Sequence, residues 1–342
     1  MVRFSIAGLM KIWTVGAVLS IATSLYVEAQ AQEVVGGSSN YRAPRTADGV
    51  PDISGIWRND TLTPLERPIR LGDRGFLTEE EVAEIELRNL ESLDRDNAPG
   101  GRRTEVGGSA SGYNRFWSDP LYTVVHTRRT SMIADPPSGR VPTRPAAEER
   151  ARWLVANRTD TYANMSPYSR CITRGMPGSM IPNTYNTGNH IFQTPGYVII
   201  LYEMVREPRI IPLDDRPSID PKIRQWMGDT RGHWEGETLV VETSHFTEKA
   251  WITPNQNAGR MHGVPVSHEL KLVERFTRVA DDILDWQVRV EDSQTYTEPW
   301  TLELPLRRDM DYTLYEYACH EGNRAVTGIL GGARHVERQE SR

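Results

Sequence analysis

Cysteine is scarce: Cys171 and Cys319 are the only two in 342 residues. Two thiols cannot build a cysteine-rich zinc site or hold an iron–sulfur cluster, so those frameworks are excluded. The spacings H-E-x-x-H, G-x-S-x-G and G-x-x-x-x-G-K are also missing, as is a G-x-G-x-x-G that opens a helix after a strand. Metalloprotease, α/β-hydrolase, nucleotide and dinucleotide readings fall with them. Basic charge is not in excess either. The formal net charge is −6 with both signs interspersed, which leaves no electrostatic footprint for nucleic acid and no polybasic membrane patch. Nothing in the chain is repetitive or low in complexity, which ranks a structural envelope protein that uses its loops for protein contacts behind an enzyme or a binding protein.

What is present begins with an export signal. Arg3 and Lys11 supply positive charge, Ile12 to Val27 form an apolar core, and Ala29-Gln30-Ala31 offers small residues for cleavage after Ala31. The apolar core is shorter than the roughly 20 residues a membrane span needs. No cysteine stands near the cleavage point to carry a lipid. The expectation is a signal peptide over 1–31 and a mature chain over 32–342, periplasmic or secreted, with no stable membrane anchor. That mature chain keeps 38 basic and 45 acidic residues, a net charge of about −7. Export also places the two thiols in an oxidising compartment, where an even count predicts a bridge between Cys171 and Cys319.

Along the mature chain no composition break marks a boundary, so one β-rich domain is expected. Residues 32–47 read as a loosely held arm, and Asp48 to Trp57 as a turn that leads a short strand and its Trp57 into the core. Thr78 and Glu81 form a capping box ahead of an amphipathic helix over 79–95. The Gly-rich run 97–112 reads as a flexible loop, and Pro145 as the first turn of a helix reaching about Asn157. Strand character returns over Tyr122 to Ala134 and over Gly196 to Arg206, with Arg209 to Leu213 as a hairpin partner. From His233 onward, strands alternate with closely spaced turn signals, the pattern of an antiparallel meander that curls into a barrel or a strongly twisted sheet. The longer connection Thr247 to His268 is placed to cover one open end.

Several of these strands carry a polar residue on the face otherwise filled with apolar ones. Side chains alternate along a strand, so Leu270, Leu272, Glu274 and Phe276 share a side, and so do Trp286, Val288, Val290 and Asp292. By the same rule Glu203 lies with Ile199, Leu201 and Val205, His245 falls beside Leu239 and Val241, and Glu316 and His320 share a side with Leu314 and Ala318. A bare carboxylate taken from water costs several kcal/mol, so each such group either meets a partner or serves a site. For Glu274 an arginine partner from Arg206, Arg275, Arg278, Arg289 or Arg307 stands open beside a catalytic role. Aromatic residues crowd the same region: Trp234, Trp251, Trp286, Tyr296, Trp300, Tyr315 and Tyr317 suit either a core or a ligand platform. His262 and His268, with His190 or His233, follow no metal-ligand spacing rule.

The strings RTSMIADPPSGRVP, QTPGYVIILYEMVREPRIIPLD, WMGDTRGHWEGETLVVET, LVERFTRV and YEYACHEGN, with DGxPDxSGxW near the mature N-terminus, resemble a large group of exported bacterial proteins. The resemblance spans most of the chain from Asp48 to about Arg334. It implies export and a single extended domain, and it carries over no catalytic residues.

Two readings follow. In the first, a polar-lined pocket in the barrel acts on a small organic or carbohydrate molecule by acid–base chemistry of the lyase, isomerase or hydrolase type. Glu274 and Asp292 are then the acid and base, assisted by His320 or His245, with Glu203 and Glu316 as further candidates; no cofactor and no metal is invoked. In the second, a lipocalin-like cup binds a small molecule and the same groups only orient it. Neither reading fixes an oligomeric state.

Overall fold

The computed structural model describes residues 41–97, 123–254 and 256–341. The expected signal peptide, most of the expected arm and almost all of the expected flexible loop lie outside the described residues. Alternating sequence resolves into strands β1 (Gly55–Arg58), β2 (Ile133–Asp135), β3 (Gly188–Thr194), β4 (Tyr197–Tyr202) and β5 (Pro208–Pro212). Five more follow: β6 (Asp229–Glu235), β7 (Thr238–Ser244), β8 (Lys271–Arg278), β9 (Ile283–Glu291) and β10 (Trp300–Arg308). Among the described residues three α-helices flank them, α1 (Glu79–Asn97), α2 (Pro145–Ala156) and α3 (Ala325–Glu340).

The strands form one antiparallel sheet in the order β5-β4-β3-β1-β10-β9-β8-β7-β6, with β2 beside β10. It is nearly closed and barrel-like, as the turn spacing predicts. The two end strands, β5 and β6, meet through side chains. A Cβ on Gly232 of β6 would stand 2.7 Å from the Ile211 side chain and 2.9 Å from that of Leu213, so glycine is what lets this seam shut.

Register decides which residues fill the barrel. On β8 the buried set is Leu272, Glu274, Phe276 and Arg278, and on β9 it is Leu284, Trp286, Val288 and Val290. With Trp300, Leu302, Leu304 and Leu306 of β10 and with Trp57 they make one continuous core. Ile252, Met261, Val264 and Val266, from the long connection after β7, join that core, so this loop is a packed part of the domain.

Local signals explain the helices. Glu81 accepts from the Thr78 N–H at 2.9 Å and its own N–H reaches Thr78 Oγ1 at 3.3 Å, the reciprocal pair of a capping box. Pro145 opens α2, where its missing N–H costs nothing. Pro305, in the middle of β10, is tolerated for a related reason. Glu303, two residues earlier, sends its N–H away from β9 to Met132 O, so residue 305 faces the same edge, between the stretches that β2 and β1 cover.

Some expectations are corrected. Of the strand expected over Tyr122 to Ala134 the described residues form only the short β2; before it, Thr123, Arg128, Thr130 and Met132 make single backbone bonds to Leu62, Leu77, Gly75 and Pro64 in place of a continuous ladder. The strand expected over Gly196 to Arg206 stops at Tyr202, where a tight 3-10 turn over Met204–Arg206 puts Val205 at φ 67° and Arg206 at φ 54°. The inward set on β4 is therefore Val198, Ile200 and Tyr202, and Ile199 and Leu201 face outward. The strand expected through Leu314, Glu316, Ala318 and His320 does not form. The chain leaves the sheet after Arg308 and runs as an irregular strap to α3.

Candidate functional site

Glu274 is fully buried in the barrel and meets Arg209 of β5 at 2.5 Å. Arg209 also donates to Thr243 Oγ1 at 2.7 Å, and the Trp286 indole N–H donates to the other Glu274 oxygen at 3.1 Å. Burial alone would lower the Arg209 pKa, but the charge of Glu274 and the nearby Tyr202 hold it above the ordinary value. This is the structural ion pair left open by the sequence, with a partner, Arg209, outside the arginines considered.

Asp292 sits just past β9 and is saturated by donors. It accepts from Ser267 N at 2.8 Å and Oγ at 2.7 Å, from Thr295 Oγ1 at 2.8 Å, and from the Gln294 and Thr295 N–H groups at 3.2 Å. A carboxylate so engaged anchors a turn. Glu203 is likewise an anchor: it accepts from Gly188 N at 3.2 Å, from the Tyr312 hydroxyl at 2.6 Å and from Tyr315 N at 3.1 Å. His245 leaves the strand line at φ 61° and bonds through Nδ1 to Ser244 Oγ at 2.8 Å. The expected convergence of Glu274, Asp292, His320 and His245 on one enclosure is not what the fold builds. Glu274 lies inside the barrel, Asp292 and Glu203 tie chain segments at strand ends, and His320 and Glu316 are exposed on the strap.

The strap runs from Asp309 to Arg324 and is fastened along its length. Glu203 grips Tyr312 and Tyr315, Arg206 Nη1 donates to Tyr315 O at 2.8 Å, and Cys319 is bridged to Cys171 with Cα atoms 5.5 Å apart. The expected disulfide is therefore present, linking positions 148 residues apart. Beyond it Arg334 of α3 donates to the carbonyls of Thr159 and Asp160.

Beside the bridge lies a cleft of about 490 Å³ whose lining includes Tyr168, Glu316, Tyr317, Asn323 and Ile329. That volume suits a small organic ligand. The Tyr168 and Tyr317 hydroxyls are hydrogen-bonded at 2.9 Å, and the Tyr168 hydroxyl lies 3.4 Å from that of Tyr185. Burial pushes the Tyr168 phenol up to about 12, and burial also raises Tyr317. Both therefore stay protonated at neutral pH and can donate. Glu316 is the one acid–base candidate of the sequence in this lining, and Tyr317 is one of its aromatic candidates. Tyr168, Tyr185 and Asn323 lay outside the candidates, although their closeness in sequence to Cys171 or Cys319 was a usable signal once a bridge was expected.

A second cleft, of about 350 Å³, opens on the outer face of the sheet, over Ile283, Pro305 and Arg307 and against α1. His126 and Glu86 line it, and Asp60, with no exposed side-chain surface, pairs with Arg58 and Arg307 at 3.0 and 2.8 Å. Asp285, cross-strand from Pro305, has its pKa raised by burial, an effect that His126 partly offsets and Glu303 adds to. Among the described residues no group of three or more His, Cys, Asp and Glu is disposed to hold a metal ion. His190 stacks on Phe192 at 3.8 Å, His262 packs edge-on against Trp251, and His233 and His268 pair with Glu235 and Glu248.

No family model, no curated protein and no solved structure matches this chain.

Proposed function

We propose that this is an exported protein that takes a small organic molecule into the cleft beside the Cys171–Cys319 bridge and acts on it by acid–base chemistry. Glu316 is the base, and the phenols of Tyr168 and Tyr317 are the proton donors. The observation that carries this reading is a carboxylate and a hydrogen-bonded phenol pair in the lining of one cleft of ligand size. A carboxylate in the lining is the group that can take a proton from a bound molecule. Two phenols held protonated supply the opposite half of the exchange. The disulfide and the sequence signal are together compatible with a periplasmic or extracellular setting.

The test is proton exchange. The protein is incubated in deuterated buffer with a panel of small ketones, hydroxy acids and aldoses, and loss of carbon-bound proton signal is followed by NMR. Exchange of at least one class, reduced about 10²- to 10⁴-fold by Glu316→Gln at unchanged melting temperature, is expected. Equal exchange by wild type and Glu316→Gln, or none with any class, overturns the reading.

A further inference from the structure

Behind the phenols of the cleft lies a guanidinium that the acid–base reading does not use. Arg174 is 3% exposed and donates only to backbone carbonyls, at 3.4 and 3.3 Å to Gly178 O and 3.5 Å to Ile181 O. Among the described residues no carboxylate stands within ion-pair reach of it. Its guanidinium lies 5.6 Å from the centre of the Tyr168 ring. An arginine stays charged in a protein, and a buried charge without a counter-ion is unfavourable by several kcal/mol. The neighbouring phenols are the obvious compensators, but burial keeps Tyr168 and Tyr317 protonated, so they offer dipoles and not a negative charge. The negative charge that complements Arg174 must come from elsewhere.

We infer that the cleft is specific for an organic oxyanion, a small carboxylate or phenolate, whose charged oxygen sits against the Tyr168 and Tyr317 hydroxyls with the Arg174 cation behind them. This rests on the same cleft as the proposed acid–base chemistry and names the class of ligand it takes. Glu316 of the lining is exposed, while Tyr168, whose ring is the one beside Arg174, and its hydrogen-bond partner Tyr317 are half-buried. Ala325 and Ile329 add apolar surface for the body of the ligand. Arg174 acts through the phenols and is a positioning residue.

The probe is 4-nitrophenol, whose ionised form is read directly from its absorbance, with 4-nitroanisole as the neutral analogue of the same shape. At a pH where free 4-nitrophenol is largely neutral, the bound probe should absorb as the phenolate and bind roughly tenfold or more tightly than 4-nitroanisole. Tyr317→Phe should remove most of that preference. Arg174→Met should return the bound probe to its neutral spectrum; should that variant fail to fold, Tyr317→Phe decides alone. Equal affinity for the two probes, a neutral bound spectrum, or no binding of either at millimolar concentration overturns the inference. None of these results depends on proton exchange by Glu316, so the two proposals fail separately.

Discussion

Polar side chains enter both the barrel interior and the cleft beside the disulfide, and the two settings treat them differently. Inside, Glu274 has Arg209 and the Trp286 indole, and Arg209 has Thr243 as well. Where strands end, Asp292 accepts five hydrogen bonds and Glu203 three, all from hydroxyls and backbone N–H groups. At the cleft the carboxylate is exposed and two phenols are hydrogen-bonded to each other, and behind Tyr168 a buried cation has, among the described residues, carbonyl oxygens and an aromatic ring but no carboxylate. A polar residue on an inward strand face thus marks a structural tie in this protein. The polar groups that line the cleft come from the irregular strap and from the turn at Tyr168, where no strand ladder claims them.

Three substitutions sharpen that contrast. The largest effect is expected at Glu274→Gln, which strands the buried Arg209 charge and should cost about 3–5 kcal/mol. The double change Arg209→Met with Glu274→Leu should recover most of it, and chemical denaturation of both variants checks the pair; a neutral single variant would mean that water already solvates Arg209. An intermediate effect is expected at Glu203→Gln. An amide oxygen accepts less strongly than a carboxylate, and the change places an NH₂ against donors, for a loss of about 1–3 kcal/mol. Because Glu203 grips the strap at Tyr312 and Tyr315, the same variant should make the Cys171–Cys319 bridge faster to reduce by dithiothreitol, read by thiol labelling over time.

The smallest effect belongs to the second cleft. Burial holds the Asp285 pKa above its unfolded value, so the folded state binds its proton more tightly. The stability this provides is complete below the unfolded carboxylate range and is lost as pH rises through the folded pKa. Asp285→Asn, which keeps the neutral form at every pH, should therefore gain stability over wild type between acid and neutral pH. Parallel melting curves that never separate would show Asp285 to be solvated in the fold.

Much of the architecture was legible in the sequence, and the reasons are local. The Thr78 and Glu81 capping pair, Pro145 at a helix start, the β8 and β9 face patterns and the β4–β5 hairpin each depend on neighbours a few residues apart. What stayed hidden depends on distant partners. β3, with the sequence GNHIFQT, was not among the expected strands and is one because β1 and β4 flank it. Alternation placed Glu274 inward but could not name Arg209, 65 residues away across the barrel. Leu314 to His320 alternates well enough for a strand and has no strand beside it, so its backbone is held by Glu203, Arg206 and the disulfide instead. The site followed the same division: Glu316 and Tyr317 were visible as residues, and the cleft that gathers them with Tyr168 was not.

The seam between β5 and β6 has a meaning for the life of the molecule outside its function. Every other junction on the path round the barrel is laced by backbone hydrogen bonds, whereas this one is closed by Ile211 and Leu213 resting on Gly232 and by Arg209 reaching across to Thr243 and Glu274. Whatever parts those side chains uncovers two strand edges together, each with a free row of donors and acceptors. A small local opening would then turn a self-contained barrel into a template for strand exchange between copies. The buried Arg209–Glu274 pair keeps that edge private.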